Sequence, residues 1–190
     1  MAYNNITGTD TANTLIGQTG SDSIVASAGD DTIIGAGSGD RVDLGLGNDS
    51  IYFDSNVSDT SIKGADGNDS LNVIVAFDTS TMRGGDGNDS IFVKKDSTAF
   101  LTNGGAGNDT LNIGSESGYD AVSATVYGGL GDDTLLFTGT PNNSTVWGGG
   151  DLVTTTDGSD SIYFATSISA LEVQGNAGND TLNVNDVVKA

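Results

Sequence analysis

An aliphatic residue recurs at every ninth position over the first 51 residues of this chain. The recurring residues are Ile6, Leu15, Ile24, Ile33, Val42 and Ile51. An aspartate or asparagine stands two positions before each of them, at Asn4, Asn13, Asp22, Asp31, Asp40 and Asp49. A fixed short period indicates a repeat architecture in which every unit packs on its neighbours, and it argues against a fold built around one irregular core.

Beyond Asp49 the same local sequence returns at a longer spacing. The corresponding aspartates are Asp69, Asp89, Asp109, Asp133, Asp160 and Asp180, at steps of 20, 20, 20, 24, 27 and 20 residues. A typical unit is GGDGNDSIF, from Gly84 to Phe92. Two nonapeptides span 18 residues. We therefore interpret the unit of 20 as a pair of turns in which the second turn has lost the motif and gained two residues.

Each repeat contains a segment that is typical of a β-strand. The motif aspartate is followed by Ser or Thr and then by two apolar residues in alternation, as in Ile51 and Phe53, which predicts a strand with one buried face. Apolar residues seven positions before the aspartate, or before the lengthened turn, predict a second strand: Ile62, Met82, Val126, Val146 and Val173. Because no segment shows a 3.6-residue period, we expect little or no helix.

Strand, turn, strand and turn at a near-fixed length predict an all-β fold, a parallel β-roll or β-solenoid of about nine coils. Each coil has 18 to 20 residues. We expect a single solenoid over residues 1–190, with strict nonapeptide coils in 1–50 and coils of 20 or more residues in 51–190. Lengthened loops are expected near 114–124 and 148–158. Such loops often carry binding in solenoids, although tolerated variation in length explains them as well.

The composition excludes most catalytic chemistry. The formal charge is -20, from 26 acidic and 6 basic residues, and the chain has no Cys and no His. This excludes disulfides, structural zinc and catalysis by thiol or imidazole. The negative charge disfavours nucleic acid and anionic membranes as partners. We therefore expect a protein that is not an enzyme.

The aspartates of the glycine turns are candidate calcium ligands. Of the acidic residues, 24 are Asp and only Glu116 and Glu172 are Glu, so the turns require a short carboxylate. Calcium binds six to eight oxygens in flexible geometry, and glycines allow backbone conformations that aim carbonyl groups inward. A single Gly-Asn-Asp segment is also a good turn former. In stacked turns, however, the carboxylates would repel one another without a cation between them.

The unit from Gly84 to Phe92 resembles the nonapeptide of the repeats-in-toxin (RTX) calcium-binding β-roll, and versions of it cover nearly the whole chain. The resemblance implies calcium between successive turns, bound by the motif aspartate and by backbone carbonyls of glycine-rich residues. It implies ligands on one edge at Asp31, Asp49, Asp69, Asp89, Asp109, Asp133, Asp160 and Asp180, and on the opposite edge at Asp22 and Asp40. The implied glycines are Gly29, Gly47, Gly67, Gly87, Gly107, Gly131 and Gly178.

Two of these candidate ligands, Asp40 and Asp160, follow turns that depart from the motif. Ser38 replaces a motif glycine before Asp40 and Arg41 follows it, and the turn before Asp160 is stretched.

We expect about 7 to 9 Ca²⁺ ions, whose charge would nearly cancel that of the chain. Folding and metal binding would then be one process.

The repeat begins by Ile6, and the last predicted strand runs from Leu182 to Val188, which leaves little room for caps on the strand edges. We therefore expect a calcium-dependent structural protein that stacks head to tail with further copies, in a filament or surface layer. A surface polysaccharide is a further candidate partner. The resemblance implies secretion by a type I-like route without a cleaved N-terminal signal, and hence an extracellular or cell-surface location. We do not expect a membrane-embedded protein, because no long apolar run is present.

Three alternatives remain open: an adhesion module, an ice-binding module and a virion surface protein. For ice binding, an Asn row is present at Asn48, Asn68, Asn88, Asn108 and Asn179. Its neighbouring row lacks the Thr residues of ice-binding relatives and reads Leu46, Asp66, Asp86, Ala106 and Ala177. Four of the six bases, Lys63, Arg83, Lys94 and Lys95, lie between positions 63 and 95. They form either a contact patch for an acidic neighbour or a simple balance of charge.

Overall fold

The computed structural model describes residues 3–53, 55–114, 120–150, 157–166, 168 and 170–185. These residues form 23 β-strands, and none of them is helical. In chain order the strands are β1 (Asn4–Thr7), β2 (Thr14–Ile16), β3 (Asp22–Val25), β4 (Thr32–Ile34), β5 (Arg41–Leu46), β6 (Ser50–Phe53), β7 (Val57–Ser58), β8 (Ser61–Asp66), β9 (Ser70–Val73), β10 (Phe77–Asp78), β11 (Thr81–Asp86), β12 (Ser90–Val93), β13 (Ser97–Thr98), β14 (Leu101–Ala106), β15 (Thr110–Ile113), β16 (Asp120–Val122), β17 (Thr125–Leu130), β18 (Thr134–Phe137), β19 (Thr140–Asn142), β20 (Thr145–Gly149), β21 (Ser161–Phe164), β22 (Glu172–Gln174) and β23 (Thr181–Val184).

Two nine-stranded parallel sheets make the main walls of the solenoid. Sheet A has the order β1-β3-β5-β8-β11-β14-β17-β20-β22, and sheet B has the order β2-β4-β6-β9-β12-β15-β18-β21-β23. Every strand pairs with the equivalent strand of the next coil, so that Met82 lies between Ile62 and Thr102. The predicted all-β parallel solenoid is confirmed.

A third wall accompanies the longer coils. After β6, β9, β12, β15 and β18, a short strand precedes the next strand of sheet A, and these short strands pair as β7-β10 and β13-β16-β19. The prediction of two strands per coil was therefore incomplete for residues 51–150. The added residues turn a corner at each level, where Asp59, Thr79 and Ala99 have φ values of 56°, 47° and 52°.

The hydrophobic core fills the space between the walls. The inward residues of sheet B predicted from the alternation, such as Ile51 and Phe53, are buried. In sheet A, Ile62, Met82, Val126 and Val146 are buried as predicted, and Val173 is half-buried. Each buried aliphatic side chain stabilises the fold by about 1.5–3 kcal/mol relative to exposure. The core is thus a continuous column with one apolar layer per coil.

The two lengthened loops are described only in part. Residues 120–122 of the first loop form β16. Residues 115–119 and 151–156 lie outside the described residues. Among the residues that are described, no helix is long and apolar enough to cross a membrane.

Candidate metal site

The motif aspartates lie where the chain passes from sheet A to sheet B. Asp89, for example, lies between the end of β11 and the start of β12. The turn needs glycine, because Gly85 and Gly87 have φ values of 127° and 126°, a region that other residues rarely adopt. Parallel stacking places eight aspartates along one edge, here called the ladder edge: Asp31, Asp49, Asp69, Asp89, Asp109, Asp133, Asp160 and Asp180.

One carboxylate oxygen of each aspartate is used by the backbone. The N–H of Asp69 donates to Oδ1 of Asp89 at 2.8 Å, and the N–H of Asp89 donates to Oδ1 of Asp109 at 2.7 Å. The series begins with the N–H of Asn13 on Asp31 and ends with the N–H of Asp160 on Asp180. These bonds join the coils into an aspartate ladder and fix the orientation of every carboxylate.

The second oxygen has no partner in seven of these residues. Oδ2 is buried and makes no hydrogen bond in Asp31, Asp49, Asp69, Asp89, Asp109, Asp133 and Asp160. A buried polar atom without a partner costs about 1–3 kcal/mol, and more when it carries charge. Buried carboxylates are ordinarily paired or bound to metal, so these oxygens are candidate metal ligands.

Glycine leaves space beside the unpaired oxygens. A Cβ built on Gly84 would overlap Oδ2 of Asp89 and the carbonyl oxygen of Gly104. Gly64, Gly104 and Gly128 have the same surroundings one coil apart, and Gly148 and Gly175 face Asp160 and Asp180. Each space is therefore bordered by a carboxylate oxygen, and in four coils also by a backbone carbonyl oxygen. Oxygen ligands of this kind suit calcium.

The first coils lack this glycine. Ala26 and Leu44 hold the equivalent positions beside Asp31 and Asp49, and both residues are fully buried. The aspartate ladder and the unpaired oxygens continue there, but a side chain takes up part of the space. The ladder edge therefore has two kinds of coil, those with glycine beside the carboxylate and those with Ala26 or Leu44 at that position.

The predicted glycines lie on the outer part of the turn. Their φ values range from 103° at Gly29 to 138° at Gly178. A Cβ on Gly87 would overlap the carbonyl oxygen of Gly67, and a Cβ on Gly107 would overlap that of Gly87. These glycines are therefore required for the close stacking of successive turns. Their full set is Gly29, Gly47, Gly67, Gly87, Gly107, Gly131 and Gly178.

The opposite edge differs from the ladder edge. Asp22 and Asp40 lie there as predicted, but both oxygens of each already accept hydrogen bonds. Oδ1 of Asp40 accepts from the N–H of Asp22 at 2.7 Å, and Oδ2 accepts from the N–H of Gly37 at 2.5 Å. The unpaired oxygens that mark the ladder edge are absent from these two residues.

In the longer coils, side chains with hydroxyl groups accept the hydrogen bonds that Asp22 and Asp40 accept in the first coils. The N–H of Thr60 donates to Oγ of Ser80 at 3.0 Å, and the N–H of Ala124 donates to Oγ of Ser144 at 3.1 Å. Sequence reasoning missed these residues. The available signal was their position two residues before the inward residues of β8, β11 and β20, which is the offset of Asp22 and Asp40 in the first coils.

Burial makes the ladder carboxylates weaker acids. It raises the pKa of Asp49, Asp69, Asp89, Asp109 and Asp160 to about 6 and that of Asp133 to about 8. The N–H donated by the preceding aspartate lowers each pKa, but less than burial raises it. The charge of a neighbouring aspartate raises the pKa of Asp89 further. The folded array therefore disfavours its own ionised form unless a cation is present.

Asp157 is an additional acid that the sequence did not single out. It lies in the stretched turn, where a Cβ on Gly149 would overlap its Oδ2. Burial raises its pKa, and the charge of Asp180 adds to the effect. The stretched turn thus brings a further carboxylate near Asp160 and Asp180.

Asparagines form a second ladder outside the aspartates. The N–H of Asn68 donates to Oδ1 of Asn48 at 2.9 Å, and the N–H of Asn88 donates to Oδ1 of Asn68 at 2.7 Å. Asn108 continues this asparagine ladder. The amide oxygens of Asn48, Asn68, Asn88 and Asn108, four members of the row in the ice-binding alternative, therefore serve the stacking of the coils.

No three acidic side chains of the described residues converge on a point that could hold a metal ion. A cation on the ladder edge would instead meet one or two carboxylates together with backbone carbonyls. Binding by carboxylate and carbonyl oxygens is ordinary for calcium.

Comparison with known proteins agrees with this geometry. The sequence profile of the RTX calcium-binding nonapeptide repeat matches residues 7–42, 16–51, 79–93, 103–115, 125–135 and 172–186, which together cover just over half of the chain. A search of curated proteins finds no significant match. The matched segments contain the glycine turns of the ladder edge at Asp31, Asp49, Asp89, Asp109, Asp133 and Asp180. The chain belongs to the family of RTX calcium-binding repeat proteins.

Proposed function

We propose that this chain is a calcium-dependent structural module whose ions lie along the ladder edge. The proposal rests on the difference between the two oxygens of each ladder carboxylate. Oδ1 accepts a backbone hydrogen bond from the preceding coil, and Oδ2 is buried without a partner in seven successive coils. Calcium beside each Oδ2 would remove the cost of those atoms.

The proposed ligands are Oδ2 of the ladder aspartates and the carbonyl oxygens that border the glycine spaces. We assign one ion to each unpaired oxygen, about seven in all. The strongest candidates are the spaces at Gly64, Gly84, Gly104 and Gly128, because a carboxylate and a carbonyl face each of them. Asp22 and Asp40 are weaker candidates, since their oxygens are already bonded.

Calcium would also complete the folding of the chain. Seven divalent ions would offset most of the formal charge of -20, and metal binding to sites absent from the unfolded chain contributes directly to folding. Millimolar calcium is characteristic of extracellular modules, which supports a role outside the cell. We propose a structural role without catalysis, because the chain has no His and no Cys and its buried acids belong to the two edges.

Far-ultraviolet circular dichroism tests the proposal. The protein is expected to be largely disordered in chelator and to become β-rich at millimolar calcium, whereas magnesium should have little effect because it requires stricter octahedral geometry. Isothermal titration should give about seven ions per chain. A β-rich spectrum that chelator leaves unchanged would contradict the coupling of calcium to folding.

We further propose that copies associate head to tail. Strands β1 and β2 lie at one edge of the two sheets and β22 and β23 at the other, and each pairs with one neighbour among the described strands. Leu182 and Val184 of β23 are 56% and 39% exposed. Edge strands with exposed apolar residues favour pairing with another chain, and a head-to-tail contact without closure extends into a filament. Electron microscopy with and without calcium tests this, and monomers alone at millimolar calcium would contradict it.

A further inference from the structure

The outer face of sheet B has no charged residue within its described strands. Two residues of each strand point outward, and the first of them is a serine or threonine in all nine strands. The second outward residues form a row in register from coil to coil, here called the central row: Ile16, Ile34, Tyr52, Asn72, Phe92, Asn112, Leu136, Tyr163 and Asn183. Charged residues such as Lys94 and Asp132 lie at the margins of this face, beyond the ends of the strands.

The other two walls carry charge at outward positions. Sheet A presents residues of both signs, such as Asp43, Lys63 and Arg83, and the third wall includes Asp78 and Asp120. The buried centres of protein interfaces are depleted of charged residues. Sheet B is therefore the wall that another protein can cover at the lowest electrostatic cost.

The central row is nearly symmetric about Phe92. At equal distances on the two sides of Phe92 it holds residues of the same kind, in the pairs Asn72 and Asn112, Tyr52 and Leu136, and Ile34 and Tyr163. Only the end pair, Ile16 and Asn183, breaks this pattern among the described strands. A second copy, turned about a two-fold axis along β12, would place apolar residues on apolar residues and asparagine on asparagine. The row of hydroxyl residues would likewise face its own copy.

Exposed apolar residues and a depression on this face favour such packing. Ile16, Ile34 and Tyr52 are 65%, 39% and 41% exposed. A depression of about 230 Å³ lies beside Tyr52, and its other lining residues are Thr32, Ser50, Ile51, Ser70 and Asn72. In the two-fold arrangement, Leu136 of the second copy lies opposite Tyr52. The depression can therefore receive the Leu136 side chain.

The size of the face agrees with a weak, reversible dimer. Nine strands at a spacing of about 4.8 Å span roughly 40 Å, and the three or four residues of each strand span roughly 10–13 Å. Each copy would therefore bury on the order of 500 Å², or roughly 1,000 Å² for the pair, which is at the lower limit of specific interfaces.

We propose that sheet B is a self-association face on which two copies pack antiparallel about a two-fold axis at Phe92. The proposal rests on the calcium-dependent fold, because the central row exists only in the folded solenoid. Bound calcium would offset most of the charge of -20 on each copy, and salt screens the remainder beyond about 8–10 Å. This lateral contact is separate from the head-to-tail contact, which uses the terminal strands.

Single-cysteine variants test the arrangement, because the chain has no cysteine of its own. Packed sheets lie about 10 Å apart, so a short bismaleimide is the cross-linker. Ser90 lies on the proposed axis, and Ser90→Cys is expected to give a cross-linked dimer in millimolar calcium. Ser61→Cys is the matched control, since Ser61 is also an exposed outward serine but belongs to sheet A. It should give at least five-fold less dimer, and equal yields would overturn the proposal.

A mixture of two variants tests the direction of packing. Ser50 and Thr134 lie two coils from β12 on opposite sides, so position 50 of one copy would face position 134 of the other. Within either variant alone, the two substituted positions would be about 20 Å apart along the stack. Only the mixture of Ser50→Cys and Thr134→Cys is therefore expected to cross-link. Efficient cross-linking of either variant alone would overturn the antiparallel arrangement.

A charge placed on the face should weaken the dimer. Asn72→Asp adds a carboxylate to the central row, and Asn103→Asp adds one to the outer face of sheet A. The two residues are matched, because both are half-buried and Oδ1 of each is buried without a hydrogen-bond partner. By sedimentation equilibrium at saturating calcium, Asn72→Asp is expected to raise the dissociation constant of the dimer at least ten-fold, and Asn103→Asp should change it little. Equal effects would contradict the assignment to sheet B.

Circular dichroism of the same samples separates this proposal from the calcium proposal. A wild-type protein that is β-rich in calcium but monomeric at about 1 mM protein would overturn the face alone. A protein that is β-rich and dimeric in chelator would support the face and contradict the calcium requirement. End-to-end oligomers that Ser90→Cys does not cross-link laterally would overturn the face and leave the head-to-tail contact standing.

Discussion

The N–H of Asp89 donates a 2.7 Å hydrogen bond to Oδ1 of Asp109, whereas Oδ2 of Asp109 is buried without any partner. The same relationship is repeated at each step of the ladder edge from Asp31 to Asp160. One functional group thus serves two purposes, because one oxygen joins the coils and the other is left for a cation. Substitutions can separate the two.

Asp89→Asn should separate charge from stacking. Asparagine retains an oxygen that can accept from the N–H of Asp69, but it lacks the negative charge that strengthens calcium binding. We expect the titration to lose one ion and the adjacent site to weaken, while the β spectrum at saturating calcium is retained. Asp89→Ala should also lose the ladder hydrogen bond, at a further cost of about 0.5–1.5 kcal/mol.

Asp40→Asn is the matched control for that change. Both oxygens of Asp40 accept backbone hydrogen bonds, so the calcium stoichiometry should be unaffected. A loss of ions equal to that of Asp89→Asn would mean that the opposite edge also binds calcium.

Gly84→Ala should narrow one metal space by sterics alone. Its Cβ would overlap Oδ2 of Asp89 and the carbonyl of Gly104. Alanine occurs at the equivalent position 26 in the first coils, and Gly84 is not among the residues with positive φ. We expect one ion to bind more weakly by isothermal titration. Gly37→Ala is the control, because the nearest atom to its Cβ would be 3.8 Å away. Unchanged calcium affinity in Gly84→Ala would contradict the location of the site.

Acid should stabilise the calcium-free fold. Burial raises the pKa of Asp49, Asp69, Asp89, Asp109 and Asp160 from 3.8 to about 6, and that of Asp133 to about 8. Between the unfolded and folded pKa values the native state binds more protons. The stabilising contribution is therefore complete below about pH 4 and is lost as the pH rises through 6 to 8.

Calcium should reverse this dependence, because it binds the ionised carboxylates. Calcium affinity is expected to fall as the pH is lowered through 6. Circular dichroism of metal-stripped protein between pH 8 and pH 4 measures the first effect, and isothermal titration measures the second. A metal-free protein that gains no structure on acidification would contradict the sign of this prediction.

Thr102→Val should stabilise the calcium-bound protein by about 1–3 kcal/mol. Thr102 is fully buried in the core row between Met82 and Val126, and its hydroxyl has no hydrogen-bond partner. Thr60→Val should destabilise the protein, since Oγ1 of Thr60 donates to the carbonyl of Gly37 at 2.7 Å. Urea unfolding at saturating calcium compares the two variants, and a shift in the same direction for both would refute this account.

The sequence predicted those features of the fold that depend on the periodic pattern. The alternation at Ile51 and Phe53 fixes the inward face of sheet B, and the spacing of the motif aspartates fixes the coil length. The pattern also brought the ladder aspartates to one edge. What it could not distinguish was Asp40 from Asp89, because the two differ in their hydrogen-bond partners and not in the motif.

The third wall was not predictable in the same way. Its corners lie at Asp59, Thr79, Ala99, Ser123 and Asn143, all with positive φ although none is glycine. The N–H of Thr79 donates to the carbonyl of Thr98 in the next coil at 2.9 Å, and that of Ala99 donates to the carbonyl of Val122. Such bonds between coils offset a conformational cost of about 1–2 kcal/mol per residue. Asp59 and Asn143 are of the types that tolerate positive φ, but Thr79, Ala99 and Ser123 are not, so the local sequence does not predict the corner consistently and stacking sets it.

The two amide ladders run in opposite directions along the stack. The N–H of Asp89 is directed toward the following coil, and the N–H of the adjacent Asn88 is directed toward the preceding one. Neighbouring rows of backbone dipoles therefore oppose each other, much as strand dipoles do in a sheet. Unlike a long helix, this turn edge develops no macroscopic dipole as coils are added, so its electrostatics at one level are independent of the length of the solenoid.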